Sequence, residues 1–173
     1  MSCKEEPRIK DSGERMEFTT GAVRDIQKGK GRCDLMPLDV LSDHFLFHFG
    51  RDNPSQMVFG CLSLFVDSGD LTHLQNLLGI AVTFMFRDPS TMLLEVSKHF
   101  EEGAEKYGEN NWQKGLPVKR YVDSAVRHYL KWLRGDTDEP HDRAFCWNIM
   151  CAIWTCKHKP ELNEYGLKTE CEE

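Results

Sequence analysis

Glu102 and Glu105 stand three residues apart in HFEEGAEKYG, and Glu139 and Asp142 repeat that spacing in DEPHDRAF. Three residues is most of one helical turn, so each pair projects its carboxylates from one helix face. Two such pairs on facing helices would make a hard, oxygen-rich site able to hold Mg2+ against the phosphates of a substrate and to orient a water. The same spacing is also ordinary on a solvated helix face, and both readings stay open on these residues alone.

The neighbours of the first pair add binding chemistry. Lys106, Tyr107, Asn110, Asn111 and Trp112 put a cation, two amides and two rings within seven positions, a set that can grip a phosphate, read a base edge and stack a base. The alternative is that Tyr107 and Trp112 pack a helix connection while the asparagines make its turn. Arg127 and Lys131 lie four apart with Asp123 one turn earlier, placed to pair with carboxylates or with phosphate. His128 falls on or beside an apolar stripe, where a core histidine satisfied by one hydrogen bond is commoner than a ligand. Asn148, inside the last long apolar pattern, needs a partner if buried. His141-Asp142 has the dipeptide of metal-dependent HD phosphohydrolases, but His99 and His128 do not follow in that family's order. Upstream, Arg24, Lys28, Lys30 and Arg32 alternate with Gly21, Gly29 and Gly31, giving cations on a backbone that can approach an anion closely. This is not the GxxxxGK[ST] order of a nucleotide P-loop, and a solvated arm is the competing reading.

The elements that must position these groups are helical. Ser90 or Thr91 caps a helix carrying Met92, Val96, Phe100 and Ala104 and stopping at Gly108. Pro117 starts a second, with Val118, Tyr121, Val122, Ala125, Tyr129 and Trp132 on one stripe and Gly135 at its end. A third runs from near Pro140 to about Lys157, entered through acidic residues and left through basic ones. Earlier, 57–66 and 71–86 are apolar runs read as helices broken at Gly69-Asp70 and Asp88-Pro89, and Leu38, Leu41, Phe45 and Phe49 suit a short helix ending at Gly50. The spacing predicts an all-α fold, a compact helical bundle with a Gly/Lys/Arg-rich N-terminal loop. Residues 1–16 read as a flexible tail, 17–158 as one domain with an apolar insertion at about 42–90, and 159–173 as a solvated C-terminal tail, with Pro160 ending the order.

The totals exclude several classes. A net charge of −6 over 173 residues argues against a broad duplex DNA or RNA surface. No window has the roughly 18 apolar residues of a membrane span and the N-terminus is charged, which points to a cytoplasmic protein with no membrane partner. Seven cysteines without a CxxC pair point away from a zinc knuckle, and Cys146 and Cys151 read as buried reduced thiols rather than disulfide partners.

Two segments, FTTGAVRDIQKGKGRCDLMPLDVL and HFEEGAEKYGENNWQKGLPVKRYVDSAVRHYLKWLRGDTDEPHDRAFCWNIMCAI, resemble the phage and prophage dATP/dGTP diphosphohydrolase domain through TGAxRD, GKGRxDL, GAxKYGxxNW, RYxDSAxRH and WN. That group is similar to the MazG-type all-α pyrophosphohydrolases. The resemblance implies Mg2+-dependent cleavage of dATP or dGTP to monophosphate and pyrophosphate, with Glu102, Glu105, Glu139 and Asp142 as metal ligands and Glu102, Glu105, Glu139 and His141 as the catalytic set. It further implies a nucleotide partner held by the cations, amides and rings named above, and a homo-oligomer. About 33 residues separate Glu105 from Glu139, longer than the MazG pattern, and residues 42–90 have no counterpart in the two matching segments. The alternative is a binder without turnover that captures a cyclic or modified nucleotide signal, as a phage anti-defence sponge would, with no metal.

Overall fold

The computed structural model describes residues 13–27, 30–42 and 53–166. It is a bundle of helices with a small β-hairpin laid against it. The hairpin pairs β1 (Arg15–Glu17) with β2 (Val23–Asp25) antiparallel, Met16 opposite Arg24. A 3-10 turn at Cys33–Leu35 leads to a helical stretch at 38–42. The rest of the short helix expected through Phe45, Phe49 and Gly50 lies outside the described residues, as do 1–12, Lys28 and 167–173.

Five longer helices follow. Helix α1 (Pro54–Ser68) opens on an Asn53 cap with Pro54 in its first turn and closes on Gly69 at φ 71. Helix α2 (Leu71–Ala81) starts at an Asp70 cap and runs into a π-helical turn, Val82–Phe86. Helix α3 (Pro89–Tyr107) is capped by Asp88, whose carboxylate accepts the Thr91 amide at 2.8 Å, and not by Ser90 or Thr91 as the sequence suggested. Aspartate is the better cap here because Pro89 cannot donate and fits the first helical turn. Helices α4 (Val118–Arg134) and α5 (His141–His158) form the centre, with Gly135 ending α4 in the left-handed region.

The stripe on α4 is the core: Tyr121, Val122, Ala125, Val126 and Tyr129 are buried against Phe145, Ile149 and Ala152 of α5, with Phe59 of α1 meeting Tyr129 edge to face. Each such large apolar side chain contributes about 1.5–3 kcal/mol on burial, so the α4–α5 pair is a stiff platform. Cys146 and Cys151 are buried within it. No single described helix is long and apolar enough to cross a membrane.

Two boundaries differ from the sequence reading. The stretch read wholly as a Gly-rich loop contains β2, and the last residues of the expected tail form β1; three-residue strands have no alternation long enough to see. Pro160 does not end the ordered chain either: a 3-10 turn follows at Pro160–Leu162, and Tyr165 is buried edge to face on Phe65.

Candidate functional site

A cavity of about 800 Å³ lies between the hairpin, α3, the 3-10 turn at Asn111–Lys114, α4 and α5. Its wall mixes rings (Phe100, Tyr107, Trp112, Trp147) with cations (Arg24, Lys30, Arg127, Lys131) and the carboxylate of Glu139.

Arg24 reaches into it from β2. One guanidinium nitrogen donates to Ser124 Oγ at 3.0 Å and Asn148 Oδ1 at 2.7 Å, while the group lies over the rings of Tyr121 and Trp147. Asn148 is buried and donates its amide to the Ala144 carbonyl, so it has the partners its burial demands and aims Arg24. The other terminal nitrogen of Arg24, His99 Nδ1 and Trp147 Nε1 are buried without a hydrogen-bond partner among the described residues, and all three residues line the cavity. An unmet buried donor or acceptor costs about 1–3 kcal/mol, so the cavity is shaped for something that supplies partners. Burial, with Arg143 and Arg24 nearby, pushes the His99 imidazole down to about 3 and keeps it neutral.

Two acidic residues hold the N-terminal segment over this space. Asp25 accepts from Lys106 Nζ at 2.9 Å and the Tyr107 hydroxyl at 2.8 Å, and pairs with Arg15 and Lys30 at 3.2 and 3.7 Å. Burial raises its pKa, but Lys106, the Tyr107 hydroxyl and Lys30 together outweigh that and lower it. Asp123, buried on α4, accepts the Gln27 amide and the Cys33 backbone N–H, each at 2.6 Å, and pairs with Arg127. Arg127 also donates to the Lys30 carbonyl at 2.8 Å. Asn111 exchanges two 3.0 Å hydrogen bonds with the backbone of Val23, so it serves the hairpin as a third strand would.

The structure therefore sorts the expected residues. Arg24, Lys30, Tyr107, Asn110, Asn111, Trp112, Arg127, His128, Lys131, Glu139 and Asn148 line one cavity. Lys106 and Arg32 do not; Lys106 is occupied by Asp25, and Arg32 by Asp34 at 2.5 Å. Asn110 sits at φ 58 as a turn residue, which is the packing alternative. Trp112 meets both Phe100 and Trp154 edge to face.

The four-carboxylate set is not assembled. No three of Glu102, Glu105, Glu139 and Asp142 converge on one point, and of the four only Glu139 lines the cavity. Glu102 accepts from the buried guanidinium of Arg143 at 2.6 Å, and Asp142 accepts the Arg143 backbone N–H. Helical spacing puts two carboxylates on one face; the rotation of the helix decides what that face meets, and here α3 turns Glu102 toward Arg143. As placed, these four side chains do not converge around one cation.

Sequence reasoning passed over Asp25, Ser124 and Arg143 and made Asp123 no more than a helix partner for Arg127. Asp25, Asp123 and Ser124 are inside the TGAxRD and RYxDSAxRH motifs, so a signal for them was present.

The sequence pattern of the dATP/dGTP diphosphohydrolase, N-terminal, family matches residues 73–165. The chain belongs to this family. The matched segment holds α3, α4 and α5 whole and begins inside α2, so it takes in residues 73–90 of the apolar stretch 42–90; the hairpin lies ahead of it. Within the family segment are every cavity ring named above and all four expected carboxylates. Searches of curated proteins and of solved structures gave no match.

Proposed function

We propose that this diphosphohydrolase-family chain is a nucleotide pyrophosphohydrolase that cleaves a purine deoxynucleoside triphosphate to monophosphate and pyrophosphate. The observation that carries the reading is the cavity itself: it is lined by the rings of Phe100 and Trp112, by cations of β2 and α4, and by residues with unmet buried polar atoms. In this reading the base stacks on the ring wall, and Arg24, Lys30, Arg127 and Lys131 face the phosphates. Water attacks phosphorus and pyrophosphate leaves. The reading includes a homo-oligomer, supported by Leu93 and Leu94, adjacent on α3 and each more than half exposed.

A second reading is favoured by one observation. Glu102 is committed to Arg143, so a chain with this cavity binds a nucleotide without needing to turn it over. Incubation of the purified protein with a dNTP panel and Mg2+, then with cyclic dinucleotides and ADP-ribose derivatives, with chromatography of the products, separates the two. Pyrophosphate release from dATP or dGTP, lost in Glu139→Gln, is expected for the enzyme. Recovery of every ligand intact after heat denaturation sinks turnover and leaves the binder.

A further inference from the structure

We propose that His128, Glu139 and His141 form a binding site for one divalent transition-metal ion of the zinc type, on the wall of the cavity. The Nδ1 atoms of His128 and His141 face one another at 3.0 Å, and Glu139 Oε1 lies 3.7 Å from the first and 3.6 Å from the second. A triangle with those sides has its centre about 2.0 Å from each corner, the length of a zinc–imidazole or zinc–carboxylate bond. Three donor atoms, from the body of α4, the first residue of α5 and the loop between them, lie at bonding distance from one point.

The surroundings agree with ligand duty. A histidine ligand commonly has its second nitrogen held by a carboxylate, which fixes ring and tautomer; His141 Nε2 lies 2.7 Å from Asp138 Oδ1. The His141 side chain is fully buried, so α4 and α5 hold its ring rigidly. His128 and Glu139 line the cavity, which gives the ion a fourth position open to a ligand or water there. Three protein ligands with one open position is the arrangement of catalytic zinc rather than structural zinc. Two imidazoles also choose the metal: Mg2+ and Ca2+ prefer oxygen ligands, whereas imidazole suits the later first-row ions. Lys131 Nζ, 3.8 Å from Glu139 Oε1, is also 3.4 Å from Asp138 Oδ2 and keeps that partner when Glu139 turns to the ion.

The site rests on geometry and not on nucleotide turnover, and its test reads metal directly. The full chain, stripped with chelator, is titrated with Co2+ by visible absorption and with Zn2+ by calorimetry, and elemental analysis counts the ions. One tight equivalent per chain is expected, with the intense visible band of low-symmetry Co2+ and no thiolate charge-transfer band. His128→Ala and His141→Ala lose that equivalent, and Glu139→Gln weakens it. Asp138→Asn weakens it about 10- to 100-fold without removing a ligand. Circular dichroism checks each variant, and Glu139→Gln and Asp138→Asn carry the test if a histidine variant fails to fold. Absence of Zn2+ binding in the folded wild type, unchanged affinity in folded variants, or a thiolate band showing cysteine ligation each overturns the site.

Discussion

His99 shows how a single buried group makes the bundle pH-sensitive. Its folded-state pKa of about 3 lies far below the ordinary 6.5, because burial and the guanidinium groups of Arg143 and Arg24 oppose a second positive charge. Between those values the unfolded chain binds a proton that the folded chain refuses, so stability is fully present above 6.5 and falls as pH drops toward 3. His128 is pushed down in the same direction by burial and by its histidine neighbours. Thermal unfolding of wild type and His99→Gln, compared at about pH 7 and about pH 5, should show a smaller acid-induced drop in Tm for the variant. An equal drop would assign the sensitivity elsewhere. Arg143 makes the companion case. Its side chain is 2% exposed and pairs at 2.6 Å with Glu102, itself 11% exposed, so Arg143→Met takes a buried cation from a largely buried carboxylate. Denaturant unfolding should report a loss of about 3–5 kcal/mol, and Arg143→Met/Glu102→Leu should recover much of it.

At the scale of elements, the sequence shows the helices well and the strap over the cavity poorly. Apolar spacing and glycine stops marked α3, α4 and α5 to within a residue or two because those signals are local: the Val118 to Tyr129 stripe, Gly108, Gly135. The hairpin has no such signal. Its strands are three residues long, and what fixes them is distant in sequence: the Asn111 side chain on Val23, Asp25 on Lys106 and Tyr107, and Asp123 on Gln27 and Cys33. The candidate site was legible to the same extent. Motif clustering brought most of the expected binding residues to one cavity but not Lys106 or Arg32, and it missed Asp25 and Ser124; which carboxylates meet depends on helix rotation, which spacing does not show. If Asp123 is the latch that these bonds describe, Asp123→Ala should free the 23–34 segment while the helices persist. Limited proteolysis should then cut within that segment much faster than in wild type, with helical circular dichroism unchanged. Equal cleavage rates would show that Asp25 and Asn111 hold the strap without it.

For the whole molecule, the arrangement separates a stiff platform from a polar strap. The α4–α5 core carries Ser124, His128, His141 and Asn148 on a surface whose apolar side is packed, and Arg24 of β2 is brought to it by hydrogen bonds that a ligand or solvent can compete for. An anion entering the cavity finds Arg24 already aimed, so binding and strap order should rise together. Leu93 and Leu94 lie in the first half of α3, ahead of its cavity-lining residues, and are 55% and 67% exposed. Apolar side chains in adjacent positions at that exposure are poorly used in a monomer. Light scattering coupled to gel filtration should give a mass above one chain for the wild type and a monomer for Leu93→Glu/Leu94→Glu. Because α3 also supplies His99, Phe100 and Tyr107 to the cavity, the monomeric variant should hold nucleotide more weakly if assembly steadies that helix. A wild type that elutes as a monomer at micromolar concentration would remove both expectations at once.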